Sequence, residues 1–426
     1  MKSCVGEGKH LYYAVSLAAG NKGKVKFPEF QSFLRSSIGG KTMELVRDLP
    51  EIFDEFGEAR RQNFLTVKEY KDKGIPVVGS YCTYFPQEIA MAAGAAPISL
   101  CSMSDEPVSA AEKDLPSNLC PLIKSSYGFA KEDKCPYFHF SDVVIGETTC
   151  DGKKKMYELM GKFKNMYIMQ LPQAQDEDSL ELWKKEVRKI IDYLSDYLGT
   201  EITDEKLEEA IHLKNKEREA MRKFSELMMN DPAPMTGLEL FQAVYGSTFK
   251  FDKEQLIKDL DDLRAKVEEE YKNGRNVGRR PRIVITGCPM GGDTLKVVRA
   301  VEDNGGVVVA YENCSGYKNF DRLVKENTGD PVTALAERYL QIGCSVMTPN
   351  DNRLELLGRL IDQYHADGVI DMELSACHTY AIETATIRDF CTNEKNVPYL
   401  SVETDYSKAD IGQLNTRITA FLEMVM

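Results

Sequence analysis

Six short apolar runs, "IPVVGSY", "APISL", "DVVIGETT", "RIVITG", "GVVVAYEN" and "GVIDMELSA", constrain the fold more than any other feature of this chain. Each is strand-length, rich in Val and Ile, and closes on a loop that leads into a helical pattern. The alternation is nearly unbroken in the second half. There "RIVITG" gives way to the helical "TLKVVRAVEDNG", "GVVVAYENCSG" to "ALAERYLQIGC" and "NRLELLGRLIDQYHA", "GVIDMEL" to "TYAIETATIRDFC", and "VPYLSVETDY" to "DIGQLNTRITAFLEMV". Strands this apolar are buried on both faces, and helices between them force parallel crossovers. The expected fold class is α/β: two doubly wound, Rossmann-like parallel-sheet domains with a helical N-terminal segment and a helical connecting region.

At 426 residues the chain exceeds one ordinary core, and composition shifts divide it. A helical N-terminal segment is expected over 1–75, a first α/β domain over 76–175, helices dense in Glu, Lys and Leu over 176–278, and a second α/β domain over 279–426. With 67 acidic against 54 basic residues the formal charge is −13, which argues against nucleic acid or an anionic membrane as the main partner. The opening "MKSCVGEGKHLYYAVSLAAGNKGK" is broken by charge and glycine, so it does not read as a signal peptide, and a cytoplasmic location is expected.

Eleven cysteines is a high count for that compartment, where clustered thiols more often ligate metal or do redox chemistry than form disulfides. Cys82, Cys101, Cys150, Cys288, Cys314 and Cys377 each follow one of the apolar runs, and Cys120 and Cys344 stand in irregular loops able to reach the same edge. Ligands of open parallel sheets bind outside the strands' carboxyl ends, so these positions are where a site is built. Buried thiols also serve as plain packing groups, which is the reading for Cys101, Cys135, Cys4 and Cys391. No CxxC occurs, so neither paired zinc ligands nor a dithiol redox motif is present. Isolated thiols on separate loops suit an iron–sulfur cubane, which accepts thiolates from several directions. Helix N-termini after Cys82, Cys150 and Cys377 would stabilise the negative charge.

Some apparent motifs fail. "SSIGGKT" at 36–42 has Arg35 where a phosphate loop needs its first glycine, and "GCPMGGD" lacks the dinucleotide spacing. His139 in "CPYFHF" reads as a packed histidine, while Glu147, Glu403 and His378 stand close enough to the cysteine positions to be proton donors; Asp151 and Asp405 share that neighbourhood.

The segments "GSYCTYFPQEIAMAAGAAPISL", "LPSNLCPLIKSSYGF", "CPYFHFSDVVIGETTCDGKKKMYE", "RPRIVITGCPMGG" and "VPYLSVETDYSKADIGQLNTRITAFLEM" together resemble the 2-hydroxyacyl-CoA dehydratase superfamily, and within it the double-cubane cluster proteins. The likeness runs from about residue 45 to the C-terminus and leaves 1–42 outside it. It implies a component that receives low-potential electrons from a separate ATP-hydrolysing iron–sulfur activator. It also implies a homodimer whose protomers each carry an [8Fe-9S] double cubane and reduce small, hard-to-reduce molecules. Cys120, Cys150 and Cys377 match the family's cubane positions, and Cys82, Cys314 and Cys344 are assigned to the other cubane, with Cys288 in reserve. The nearest alternatives are a 2-hydroxyacyl-CoA dehydratase subunit with one [4Fe-4S] cluster and a non-catalytic iron–sulfur carrier.

Overall fold

The computed structural model describes residues 65–426. The expected N-terminal segment, with the "SSIGGKT" motif and Cys4, lies outside the described residues except for its end, where 65–72 are helical. Strands β1 (Val77–Ser80), β2 (Ala96–Ser99), β3 (Val143–Glu147) and β4 (Met166–Met169) form one sheet in the order β2-β1-β3-β4. Strands β5 (Arg282–Gly287), β6 (Val307–Tyr311), β7 (Gly368–Leu374) and β8 (Tyr399–Thr404) form a second in the order β6-β5-β7-β8. Every pairing is parallel. The two sheets therefore repeat one topology, with the strand order reversing between β1 and β3 and again between β5 and β7. The central strands are buried along their whole length, which explains why they read as unbroken apolar runs.

Four long helices join the sheets: Glu177–Leu198, Asp204–Ser225, Gly237–Ser247 and Lys253–Lys272. Each starts at a residue whose side chain accepts a free backbone N–H: Asp176, Thr203, Thr236 in a reciprocal capping box with Glu239, and Asp252. Trp183, Val187, Ile190 and Leu194 recur at helical spacing and bury one face of the first helix. That face joins a core holding Val78 and Ile145 of the first sheet and Leu335 and Tyr339 of the helix Pro331–Leu340. The same helices carry a buried polar clamp. Arg218 donates to Glu88 at 2.7 Å and to the Tyr339 hydroxyl at 2.9 Å, and Tyr339 donates to Glu88 at 2.7 Å. The clamp ties the first half, the connecting helices and the second half together. Such a triad resists being broken, because losing one member strands a buried charge.

Three expectations need correction. The helix expected from Thr294 opens as a 3₁₀ turn, Gly292–Leu295, before the α-helix Lys296–Asp303. No helix starts at Cys82; a turn intervenes and the helix begins at Gln87 behind Pro86. His139 is exposed rather than packed, with Nδ1 2.9 Å from Asp133.

Candidate metal centre

The carboxyl edges of the two sheets face each other and touch. Asp293 N donates to the Met103 carbonyl at 3.1 Å and Asp105 N to Asp293 Oδ2 at 3.1 Å. On the other side Tyr84 donates to the Ile342 carbonyl at 2.7 Å, and Thr348 N to the Gln173 carbonyl at 2.9 Å. "GCPMGGD" serves this contact. Gly292 has φ +50°, and a Cβ there would stand 2.1 Å from the Met103 carbonyl oxygen, so only glycine lets the edges meet.

The cysteine positions follow the repeated topology. Cys82 and Cys288 come after the first strand of each sheet, Cys101 and Cys314 after the second, and Cys150 and Cys377 after the third. Cys120 and Cys344 lie in the crossovers between second and third strands. Cys120, Cys150 and Cys377 are each the residue immediately before a helix of ten or more residues, where the helix's unpaired N–H groups favour a thiolate. Ala376, in the left-handed region at φ +58°, turns the chain after β7 and presents Cys377.

These thiols gather across the cleft rather than within one sheet. The Cys120 and Cys288 thiols stand close enough to the Cys377 sulfur to hold its pKa down to about 3. In return the Cys120 thiol is pushed well up, chiefly by that contact, and Cys288 chiefly by burial. A second set comprises Cys82, Cys314 and Cys344. Burial pushes Cys82 well up against the pull of Lys153, and Glu147, Cys314 and Cys344 push the same way. Burial raises Cys314 to about 11, with Lys318 opposing and Cys344 adding; the Thr83 hydroxyl reaches its sulfur at 3.9 Å. Cys150 lies between the sets: burial raises it, the Lys153 N–H opposes, and both Cys377 and Cys344 act on it. Cys288 thus stands with Cys120 and Cys377, while Cys150 faces both sets. Exchanging the two sheets converts Cys120, Cys288 and Cys377 into Cys344, Cys82 and Cys150.

Of the proposed proton donors, Glu147 is wholly buried at the end of β3, where burial pushes its carboxyl up to about 8. Neither of its oxygens makes a well-formed hydrogen bond, although the Lys153 charge and the Glu147 and Phe85 N–H groups pull its pKa down against burial. His378 and Glu403 are exposed, at a helix start and at the end of β8. Cys101 donates to the Tyr81 carbonyl at 2.9 Å, Cys135 stands before the short helix Pro136–Phe140, and Cys391 is buried away from the cleft loops on the segment Phe390–Glu394. Sequence reasoning missed Lys153, Lys318 and Tyr380. Lys153 Nζ donates to the Tyr81 carbonyl at 3.1 Å. Lys318 is buried against Glu312 at 3.1 Å and donates to the Tyr380 hydroxyl at 3.1 Å. Within "DGKKK" the lysines look like one solvated run; only the three-residue offset from Cys150 separates Lys153 from its neighbours.

Among the described residues no three His, Cys, Asp or Glu side chains converge tightly enough to hold a single metal ion. Thiols spread over loops of two facing sheets instead fit a larger body with several acceptor irons, and the Glu147 carboxyl, without a well-formed hydrogen bond, is a second sign of a missing polar neighbour.

The sequence from residue 82 to 425 matches the 2-hydroxyglutaryl-CoA dehydratase D-component description. The chain belongs to that family. It is 54% identical over 384 residues to YjiM of Escherichia coli K12, a protein named for a dehydratase role, and the alignment spans 90% of this chain and all of that one. It is 24% identical to the (R)-phenyllactyl-CoA dehydratase beta subunit of Clostridium sporogenes, over 84% of this chain and 94% of the relative. A benzoyl-CoA reductase subunit from Thauera aromatica is 22% identical over 85% of this chain and 95% of its own length. The D-component match begins at Cys82 and so takes in every cysteine placed at the cleft. No helix of the described residues is long and apolar enough to cross a membrane.

Proposed function

We propose that this D-component relative is an ATP-dependent reductase component in which a separate iron–sulfur activator hydrolyses the ATP and delivers low-potential electrons. One cubane would rest on Cys120, Cys288 and Cys377. The other would rest on Cys82 and Cys344, with Cys314 or its symmetry rival Cys150 as third thiolate. When bound, an [8Fe-9S] centre supplies electrons at low potential. The chain's own work is to exclude water from the cleft, orient the thiolates and hold protons nearby. Glu147 is the donor held inside, and His378 and Glu403 are donors at the rim. The observation that carries this reading is the supply of seven thiols, six of them exchanged by the repeated sheet topology, where a single cubane needs only about three. A cavity of about 230 Å³ opens beside the first set, lined by Pro121 next to Cys120, Ala376 next to Cys377, Asp105, Asp405 and Tyr406.

The relatives' names favour a rival, a dehydratase subunit with one cubane that works with a second, different subunit. A homodimer and a cytoplasmic location belong to the first reading. The deciding experiment supplies anoxic protein with an iron–sulfur activator and ATP, and follows reduction of a small unsaturated or N–N-bonded compound beside loss of water from a 2-hydroxyacyl-CoA. ATP-dependent reduction supports the proposal. Dehydration replaces it with the rival, and cluster transfer without either turnover replaces it with a carrier.

A further inference from the structure

We propose that Lys153 is the counter-cation for an electron taken up on the Cys82 and Cys344 side of the centre, which makes that side the first to be reduced. The inference rests on the reading that these thiols hold an iron–sulfur body. Its starting point is two polar groups without the partners such groups normally require. Lys153 reaches the cleft one turn into the helix behind Cys150, and its ammonium bonds only a backbone carbonyl, Tyr81 O at 3.1 Å. No carboxylate of the described residues forms an ion pair with it; Glu147, on the neighbouring strand end, feels its charge, but burial holds that carboxyl up to about 8 and so largely uncharged at neutral pH. The same Tyr81 carbonyl accepts the Cys101 thiol at 2.9 Å, and Tyr81 is the residue before Cys82, so the ammonium stands among sulfurs. It draws down the Cys82, Cys101, Cys150 and Cys314 thiols alike.

Lys153 is half-buried, and a cation held partly out of water is retained where negative charge meets it. Lys318 is paired with Glu312 at 3.1 Å and acts on the Cys314 thiol, whereas Lys153, with no carboxylate in an ion pair, acts on Cys82, Cys101, Cys150 and Cys314. The thiols of Cys120, Cys288 and Cys377 act chiefly on one another. One added electron makes the centre more negative, and a fixed positive charge beside one half stabilises that reduced state most.

The test compares wild type, K153Q and K153R, purified without oxygen. Iron and sulfide are counted first, and a redox titration followed by electron paramagnetic resonance then gives the midpoint potentials. Glutamine keeps a donor for the Tyr81 carbonyl and removes the charge; arginine keeps the charge. The expected result is a first midpoint shifted to more negative potential in K153Q and unshifted in K153R, at equal iron content. A K153Q protein with full iron and an unmoved first midpoint overturns the proposal. Loss of iron in K153Q but not K153R also overturns it, by showing that the resting centre needs the charge. Iron-free wild type overturns instead the reading on which the proposal stands.

Discussion

Cys120, Cys288 and Cys377 lie mainly among one another, whereas Cys82, the counterpart of Cys288 when the two sheets are exchanged, lies near Lys153 and Glu147, and Cys314 beside it lies near Lys318 and Lys153. The backbone of the two edges repeats; the charge does not. Glu147 and Leu374 both end the third strand of their sheet, Cys150 and Cys377 both follow three residues on, and Lys153 and Tyr380 three further. At equal spacing one edge carries a carboxylate and an ammonium, and the other a leucine and a phenol. Topology fixes where thiols can be offered, and the side chains between them decide how each half differs in charge.

The comparison breaks first on the thiols themselves. C288S is expected to lower iron per chain by about half, because on the proposed reading it removes one thiolate of a cubane. C101S, which keeps a donor for the Tyr81 carbonyl and removes only a thiol outside both sets, should leave iron unchanged; iron and sulfide assays on anoxic protein check both. C314S and C150S sharpen the same point, since only the true third ligand of the Cys82 and Cys344 cubane should cost iron on substitution.

Next in size is the clamp that holds the two halves together. R218M leaves Glu88 buried without its cation and should cost about 3–5 kcal/mol in denaturant unfolding. A result under about 1 kcal/mol would place the clamp among ion pairs that contribute little net stability. G292A puts a Cβ against the Met103 carbonyl at a positive φ and should cost about 1–3 kcal/mol while opening the cleft, seen as faster iron loss to a chelator.

Much of this was legible in the residues, and the reason is physical. Strands buried on both faces must be apolar throughout, so all six apolar runs mark strands, and the cysteines after them fall at carboxyl edges. Which thiols meet was not legible. Cys288 sits with Cys120, far earlier in the chain, because Gly292 and Met103 bring the two edges into contact, and nothing local to Cys288 reports that. Lys153 was hidden for the opposite reason, in a run whose other lysines, Lys154 and Lys155, are exposed. His139 misled because aromatic neighbours suggested burial, whereas Asp133 holds it at the surface.

The smallest expected effect lies away from the cleft. Glu302 accepts the Gly237 N–H at the start of a connecting helix, and burial raises its carboxyl from 4.5 to about 7. Its raised folded pKa means the folded chain binds the extra proton, so this stability is full below about 4.5 and is lost as pH rises toward about 7. E302Q should flatten that slope in unfolding measured across the window, with the two cleft edges unaffected.

The central claim is that the two thiol sets hold two cubanes, and iron and acid-labile sulfide per chain in protein purified under strict anoxia test it most directly. The account predicts about eight irons and nine sulfides; about four of each would contradict it and leave one set of thiols without a cluster.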